Sequence, residues 1–283
     1  MMLFIQSLQD FYHYDFLLYA LVGTFFLSAT CGLISPLLIA RKNAFMGSAI
    51  SHSTLLGLAI ALSLFSAENS LSIFGTTLAV TIICTLFLAY STFRQRLPSD
   101  SLIGIFYTST MALGIIIHSS FAKNKSDLLS FLFGNILLLT REDLILSVGL
   151  LAITAPLIII PFKKWLFLTY DEEGAITSGV NAGLFHYMFF ILLSLLIVTS
   201  IKIAGTILIE TLLLVPGFFA LKFAGNVRQT FAFSVLFSTF FALLGILIAN
   251  AYGLPSGATL AVVLFVALVL SLLIKKVYSI LKS

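Results

Sequence analysis

Residues 230–251 read TFAFSVLFSTFFALLGILIANA, 22 positions without one Asp, Glu, Lys or Arg. A helix rises about 1.5 Å per residue, so this stretch covers about 30 Å, the thickness of a bilayer's hydrocarbon core. Working outward, the same pattern recurs along the chain. The apolar runs Phe16–Ala40, Ala44–Ser66, Leu71–Phe93, Leu102–Phe121, Leu144–Phe162, Leu184–Ile201, Ile203–Leu221 and Ala258–Ile274 join Thr230–Ala251 as candidate spans. The expected fold class is therefore all-α integral membrane, a polytopic bundle of about eight or nine transmembrane helices.

Composition agrees. Of 283 residues, 60% are hydrophobic and 9% charged, and the mean hydropathy is +1.15. A soluble domain carries about 25% charged residues, so lipid is the solvent for most of this chain. The net charge of +4 sits between apolar runs, where it orients a membrane protein and points to no nucleic-acid partner. One set of loops holds Arg41, Lys42, Arg94, Arg96, Lys163, Lys164, Lys222, Arg228, Lys275, Lys276 and Lys282; the alternate set holds Lys123, Lys125, Arg141 and Lys202. Eleven against four makes the first set cytoplasmic, with the N-terminus outside and the C-terminus inside. The weak point is residues 184–221, where a hairpin that fails to cross fully would keep the same sidedness. The stretch Leu128–Leu139 is too short to span and reads as a re-entrant or interfacial piece on the outer face.

The first fifteen residues hold Asp10 and Asp15 but no Lys or Arg, so no cleavable signal peptide is expected and the first span is a permanent helix. Cys31 and Cys84 lie inside apolar runs and read as buried free cysteines. There is no nucleotide-binding P-loop, so an ATPase would be a separate chain. Neither an internal inverted repeat nor a His-Glu-x-x-His zinc motif is visible, which argues against a secondary carrier with paired broken helices and against an intramembrane metalloprotease.

Ionisable residues inside spans cost about 2.5–3.5 kcal/mol on insertion, so His52, His118 and Glu210 stand out. Ser48 and His52 are four apart and share one helix face, with Ser51 and Ser53 around the same turn. A neutral imidazole is a common transition-metal ligand; it is equally a side chain that hydrogen-bonds a neighbouring helix. His118 lies near the outer end of its span, where the interface solvates it. Glu210 lies mid-span, six residues before Pro216, and must be protonated, paired or in a wet cavity. The polar cytoplasmic segment Tyr170–Val180 is either a solvated connector or a short helix that docks a partner.

Several motifs together carry a resemblance. They are Leu38-Ile39-Ala40-Arg41-Lys42-Asn43-Ala44-Phe45-Met46-Gly47 leading into Ser51-His52 and Gly57, and Asp127-Leu128-Leu129-Ser130-Phe131-Leu132-Phe133-Gly134-Asn135-Ile136-Leu137 followed by Asp143-Leu144. Asp171-Glu172 with Gly179-Val180, Gly205-Thr206-Ile207-Leu208 through Leu212-Leu213-Leu214-Val215-Pro216, and Leu254-Pro255-Ser256-Gly257 complete the set. Taken in order, from about Leu18 to Lys276, the chain resembles the zinc/manganese/iron permeases of bacterial ABC importers, the group containing ZnuB and MntB.

The resemblance implies a single permease domain over residues 1–283 with the all-helical fold of vitamin B12 permeases, in the bacterial cytoplasmic (inner) membrane. It implies a homodimer with a pathway at the interface, and a cytoplasmic ABC ATPase dimer that uses ATP and docks on a coupling segment near 170–181, here Asp171, Glu172, Glu173, Gly179 and Val180. An extracytoplasmic metal-binding protein would deliver the divalent cargo (zinc, manganese or iron) onto Leu128–Leu139, and no cofactor would be bound permanently. Gly47, Ser51, Gly57, Gly205 and Pro216 would line or pack the pathway, and Gly32 would allow close helix contact. One departure stands out: the family carries Asp four residues before the histidine, and here that position is Ser48. Glu210 is the candidate for the missing negative charge, alongside Ser48 and His52 as the metal contacts. The readings that compete are a proton-coupled secondary metal transporter using Glu210 and His52, and an ABC permease for a metal chelate such as a siderophore.

Overall fold

The structure is a computed structural model that describes residues 14–65, 69–94, 99–121, 134 and 136–282. Among the described residues it contains α-helices and a single 3-10 turn. The helices are α1 (Asp15–Ala40), α2 (Ala44–Leu64), α3 (Ser70–Arg94), α4 (Ser99–Phe121), α5 (Arg141–Ile159), α6 (Phe162–Tyr170), α7 (Glu172–Thr177), α8 (Ala182–Ala204), α9 (Thr206–Phe223), α10 (Val227–Tyr252) and α11 (Ser256–Lys282). Nine of these, all but α6 and α7, are long and apolar enough to cross a membrane, matching the nine apolar runs of the sequence to within a few residues except at the C-terminus, where α11 runs eight residues past the expected end at Ile274. The doubtful stretch 184–221 resolves into two such helices of 23 and 18 residues, separated at Gly205, whose φ of +78° is a conformation that favours glycine. Arg96, Lys123, Lys125, Asp127 and most of Leu128–Leu139 lie outside the described residues; of that last stretch, Ile136–Leu138 forms the 3-10 turn.

The chain divides into two compact units. The first comprises residues up to Ala40, 130–155 and 203–283; the second comprises 41–129 and 156–202.

In the first unit, helices are joined by hydroxyls placed where the backbone ladder is interrupted. Pro36 has no N–H, so it leaves the Gly32 carbonyl one turn earlier without its usual donor. The Ser234 hydroxyl of α10 donates to that carbonyl at 2.6 Å, and Ser238 donates to the Ser28 carbonyl at 2.9 Å. A second interruption sits in α9 beside Pro216. There the Ser35 hydroxyl of α1 donates to the Leu213 carbonyl at 2.6 Å and accepts from the Gly217 N–H at 2.7 Å. Leu213 and Gly217 are the pair that an unbroken helix would join, so a side chain of α1 is threaded into the ladder of α9. Glycine at 217 makes room, because a Cβ there would lie 2.6 Å from the Ser35 backbone. The Ile136 N–H is received by Ser256 at the start of α11, which ties the 3-10 turn to the same unit.

In the second unit, α2 packs against α3 and α4. A Cβ at Gly57 would meet the Thr77 carbonyl at 2.8 Å, and one at Gly114 the Leu56 backbone at 3.1 Å, so these glycines set close helix contacts. One feature is not legible in the run Leu144–Phe162: α5 ends at Ile159, and after Pro161 a separate helix, α6, begins. Pro161 leaves the Leu157 carbonyl without a backbone donor, and the indole N–H of Trp165 supplies one at 3.0 Å.

Candidate functional site

Two regions of the second unit carry the residues that the sequence singles out. The first is the start of α2. Met46, Gly47, Ala49, Ile50, Ser51 and Ser53 are buried there, while Phe45 is exposed and Ser48 and His52 are half-buried. Positions 45, 48 and 52 follow the three-and-four spacing of one helix face. Ser48 and His52 thus share the accessible stripe of this helix, as their spacing predicts. The His52 ring meets Tyr107 of α4 edge to face, with centroids 4.4 Å apart. Sequence reading missed Tyr107; the available signal was its place at the head of the hydroxyl run Tyr107–Thr110. Among the described residues no group of three His, Cys, Asp or Glu side chains is arranged to hold a metal ion.

His118 corrects an expectation. It is 9% exposed and lies one turn past Gly114 on the α4 face that packs against Leu55 and Leu56, so helix packing, not interfacial water, surrounds it. His186, which sequence reading did not single out, holds the Ala89 carbonyl of α3 at 3.1 Å among Phe93 and Phe190.

The second region is residues 162–180. Asp171 ends α6, where its N–H donates to the Phe167 carbonyl, and caps α7, where its carboxylate accepts the Gly174 N–H at 2.9 Å. One residue therefore joins the two helices with no loop between them. At the other end Gly179, at φ +83°, closes α7: its N–H donates to the Ile176 carbonyl, and that of Val180 to the Ala175 carbonyl, each at 3.0 Å. Ala175 is buried, whereas Glu172, Glu173, Ile176 and Thr177 are exposed. The result is a capped, rigid, acidic surface element.

Behind it lies Arg41. Its guanidinium carbon sits 5.7 Å from the Trp165 ring centroid and 5.5 Å from that of Phe189, within the range of cation–π attraction. Burial pushes the guanidinium below its ordinary pKa, and the Glu172 carboxylate pulls it back up. Trp165 is fully buried and meets Phe185 edge to face at 4.9 Å.

In the first unit, Glu210 is half-buried on α9. Thr206, Leu208, Ile209, Leu212, Leu213 and Pro216 are buried, leaving Ile207, Glu210, Leu214 and Phe218 on the accessible face. Glu210 and His52 thus belong to different units.

Among the described residues, nine helices long and apolar enough to cross a membrane define a multi-pass membrane protein, with a capped acidic element between two of them along the chain. Residues 13–275 match the model of the ABC 3 transport family, and the chain belongs to that family. It is 31% identical over 257 residues to the manganese import system permease protein ScaB of Streptococcus gordonii, covering 91% of this chain and 89% of that one. It is 30% identical over 250 residues to the manganese transport system membrane protein MntC of Halalkalibacterium halodurans, covering 88% and 84%. Among solved structures, PsaBC from Streptococcus pneumoniae in complex with Fab superposes with a TM-score of 0.82 at 29% identity, covering 94% of both chains. The fold is that of an ABC importer permease, and the chain is a membrane-embedded transport subunit.

Proposed function

We propose that this chain is the permease subunit of an ATP-driven bacterial importer for a divalent transition metal: manganese, zinc or iron. Residues 1–283 act as one permease domain in the cytoplasmic membrane and pair with an identical copy. A cytoplasmic ABC ATPase dimer hydrolyses ATP and docks on residues 170–181, through Asp171, Glu172, Glu173, Gly179 and Val180. An extracytoplasmic metal-binding protein delivers the ion. The names of the manganese relatives favour manganese.

The observation that carries this reading is the accessible stripe of α2, with Ser48 and His52 on one face and Tyr107 against the imidazole. A neutral imidazole is a good first-row metal ligand. A pathway needs contacts weak enough to release the ion, and one imidazole flanked by hydroxyls suits that need. Alternation between outward-open and inward-open states follows if the ATPase binds the two differently. Ser48 supplies no charge to offset a divalent cation, and Glu210 is proposed to supply it. Gly47, Ser51, Gly57, Gly205 and Pro216 are proposed as pathway and packing positions.

The test is reconstitution with the cognate ATPase in vesicles and uptake of Mn²⁺, Zn²⁺ and Fe²⁺. His52→Ala should lose about 10–100-fold in uptake, the scale of disturbing a metal's coordination environment; undiminished uptake would sink the site assignment. Ser48→Asp should tighten metal retention. Glu210→Gln should weaken uptake, and wild-type rates in that variant would remove the charge-compensation idea while leaving His52 in place. Uptake by vesicles without any ATPase would favour the proton-coupled carrier instead.

A further inference from the structure

We propose that Arg41 is the positioning residue that transmits movement of the 162–180 segment to the helix bearing His52. This rests on reading 170–181 as the ATPase-docking element.

The path is continuous within the second unit. The docking element α7 is joined to α6 through Asp171 alone, which caps both helices, so the two move together. α6 carries Trp165, which is fully buried and held by its N–H to the Leu157 carbonyl. The Trp165 face, with that of Phe189, seats the Arg41 guanidinium at 5.7 and 5.5 Å. Arg41 stands three residues before α2, and Lys42 between them takes a left-handed backbone at φ 58°, a tight turn with little slack. Within α2, His52 lies eight residues from Ala44, about 12 Å along a rigid rod at 1.5 Å per residue. A shift of α6 therefore reaches the metal-contact helix at its cytoplasmic end.

The nature of the contact suits this task. The guanidinium is held by ring faces, and its Nη1 is buried with no hydrogen-bond acceptor among the described residues. Attraction to a ring face has no narrow angular optimum, so the cation follows a moving ring without breaking a directional bond. Lysine cannot reproduce this, because its ammonium is a point charge without a plane to stack.

The experiment uses the complete complex in vesicles and reads three quantities: recovery of the ATPase with the permease, ATP hydrolysis, and Mn²⁺ imported per ATP hydrolysed. R41M should retain the ATPase, while Mn²⁺ imported per ATP falls about tenfold, within the usual size of coupling between distant sites. R41K, which keeps the charge and serves if R41M does not fold, should fall about threefold on the same ratio. A wild-type ratio in R41K, or in a folded R41M, overturns the proposal. Charge reversal in the double variant E172K/E173K separates the two readings. If it abolishes ATPase recovery while the Arg41 variants keep the wild-type ratio, docking stands and Arg41 is not the transmitter. If it leaves ATPase recovery untouched, the docking reading fails and this proposal falls with it.

Discussion

The seam between α1, α9 and α10 and the seat of Arg41 solve the same problem by different chemistry. Both hold helices together at places where proline has broken the backbone ladder. In the first, serine hydroxyls make short directional bonds: Ser234 to the Gly32 carbonyl that Pro36 leaves without a donor, and Ser35 between Leu213 and Gly217 beside Pro216. A displacement of about 1 Å would break them. In the second, one directional bond fixes Trp165 to Leu157, and Arg41 rests on two ring faces with the Glu172 carboxylate acting on its charge. The first arrangement specifies a fixed contact; the second tolerates sliding while keeping its parts in touch. Buried hydroxyl networks therefore mark fixed helix contacts, and the cation among aromatic faces is the contact proposed to transmit movement.

The largest expected break is in the hydroxyl seam. Gly217→Val places a side chain 2.6 Å from the Ser35 backbone and should cost about 3 kcal/mol, the upper end of overpacking, read as a fall in melting temperature and yield in detergent. Ser35→Ala should come next at about 2 kcal/mol, since it strips a carbonyl and an N–H of their partner in a buried site. An unchanged melting temperature there would mean that α9 re-forms its own ladder. In the second unit, Trp165→Phe keeps a ring face beside Arg41 but removes the bond to the Leu157 carbonyl and part of a fully buried ring, for about 1–2 kcal/mol. The smallest effect is expected from Asp171→Ala. Loss of this cap should cost about 0.5–1 kcal/mol, confined to α7 and seen as faster amide exchange at Gly174 with little change in global melting.

Much of this is legible in the order of residues alone. The nine spans follow from hydropathy, because transfer into lipid adds up residue by residue along one helix. The shared face of Ser48 and His52 follows from helical spacing. The polar run Asp171-Glu172-Glu173 announces a surface element, and its capped form agrees with Asp at one end and Gly179 at the other. The rest is not legible, for identifiable reasons. The helix after Pro161 is hidden because Leu144–Phe162 is continuously apolar and hydropathy does not register a break. His118 looks interfacial because distance along the helix says nothing about which side faces a neighbour. The hydroxyl run Tyr107–Thr110 marks a polar patch, but nothing pairs it with His52, 55 positions away.

The sequence by itself therefore determined that the chain lives in lipid, that about eight or nine helices cross, and where unusual polar groups interrupt them. All of these depend on one helix and its solvent. That residues 184–221 hold two helices came from the structure. Only the tertiary structure decided that Ser35 enters the ladder of a helix 178 residues away and that Arg41 rests on Trp165 and Phe189. Lipid is as apolar as the helices it surrounds, so hydrophobicity cannot choose between neighbours. Close packing and the partners found by stray polar groups make that choice, and those exist only once the helices have met.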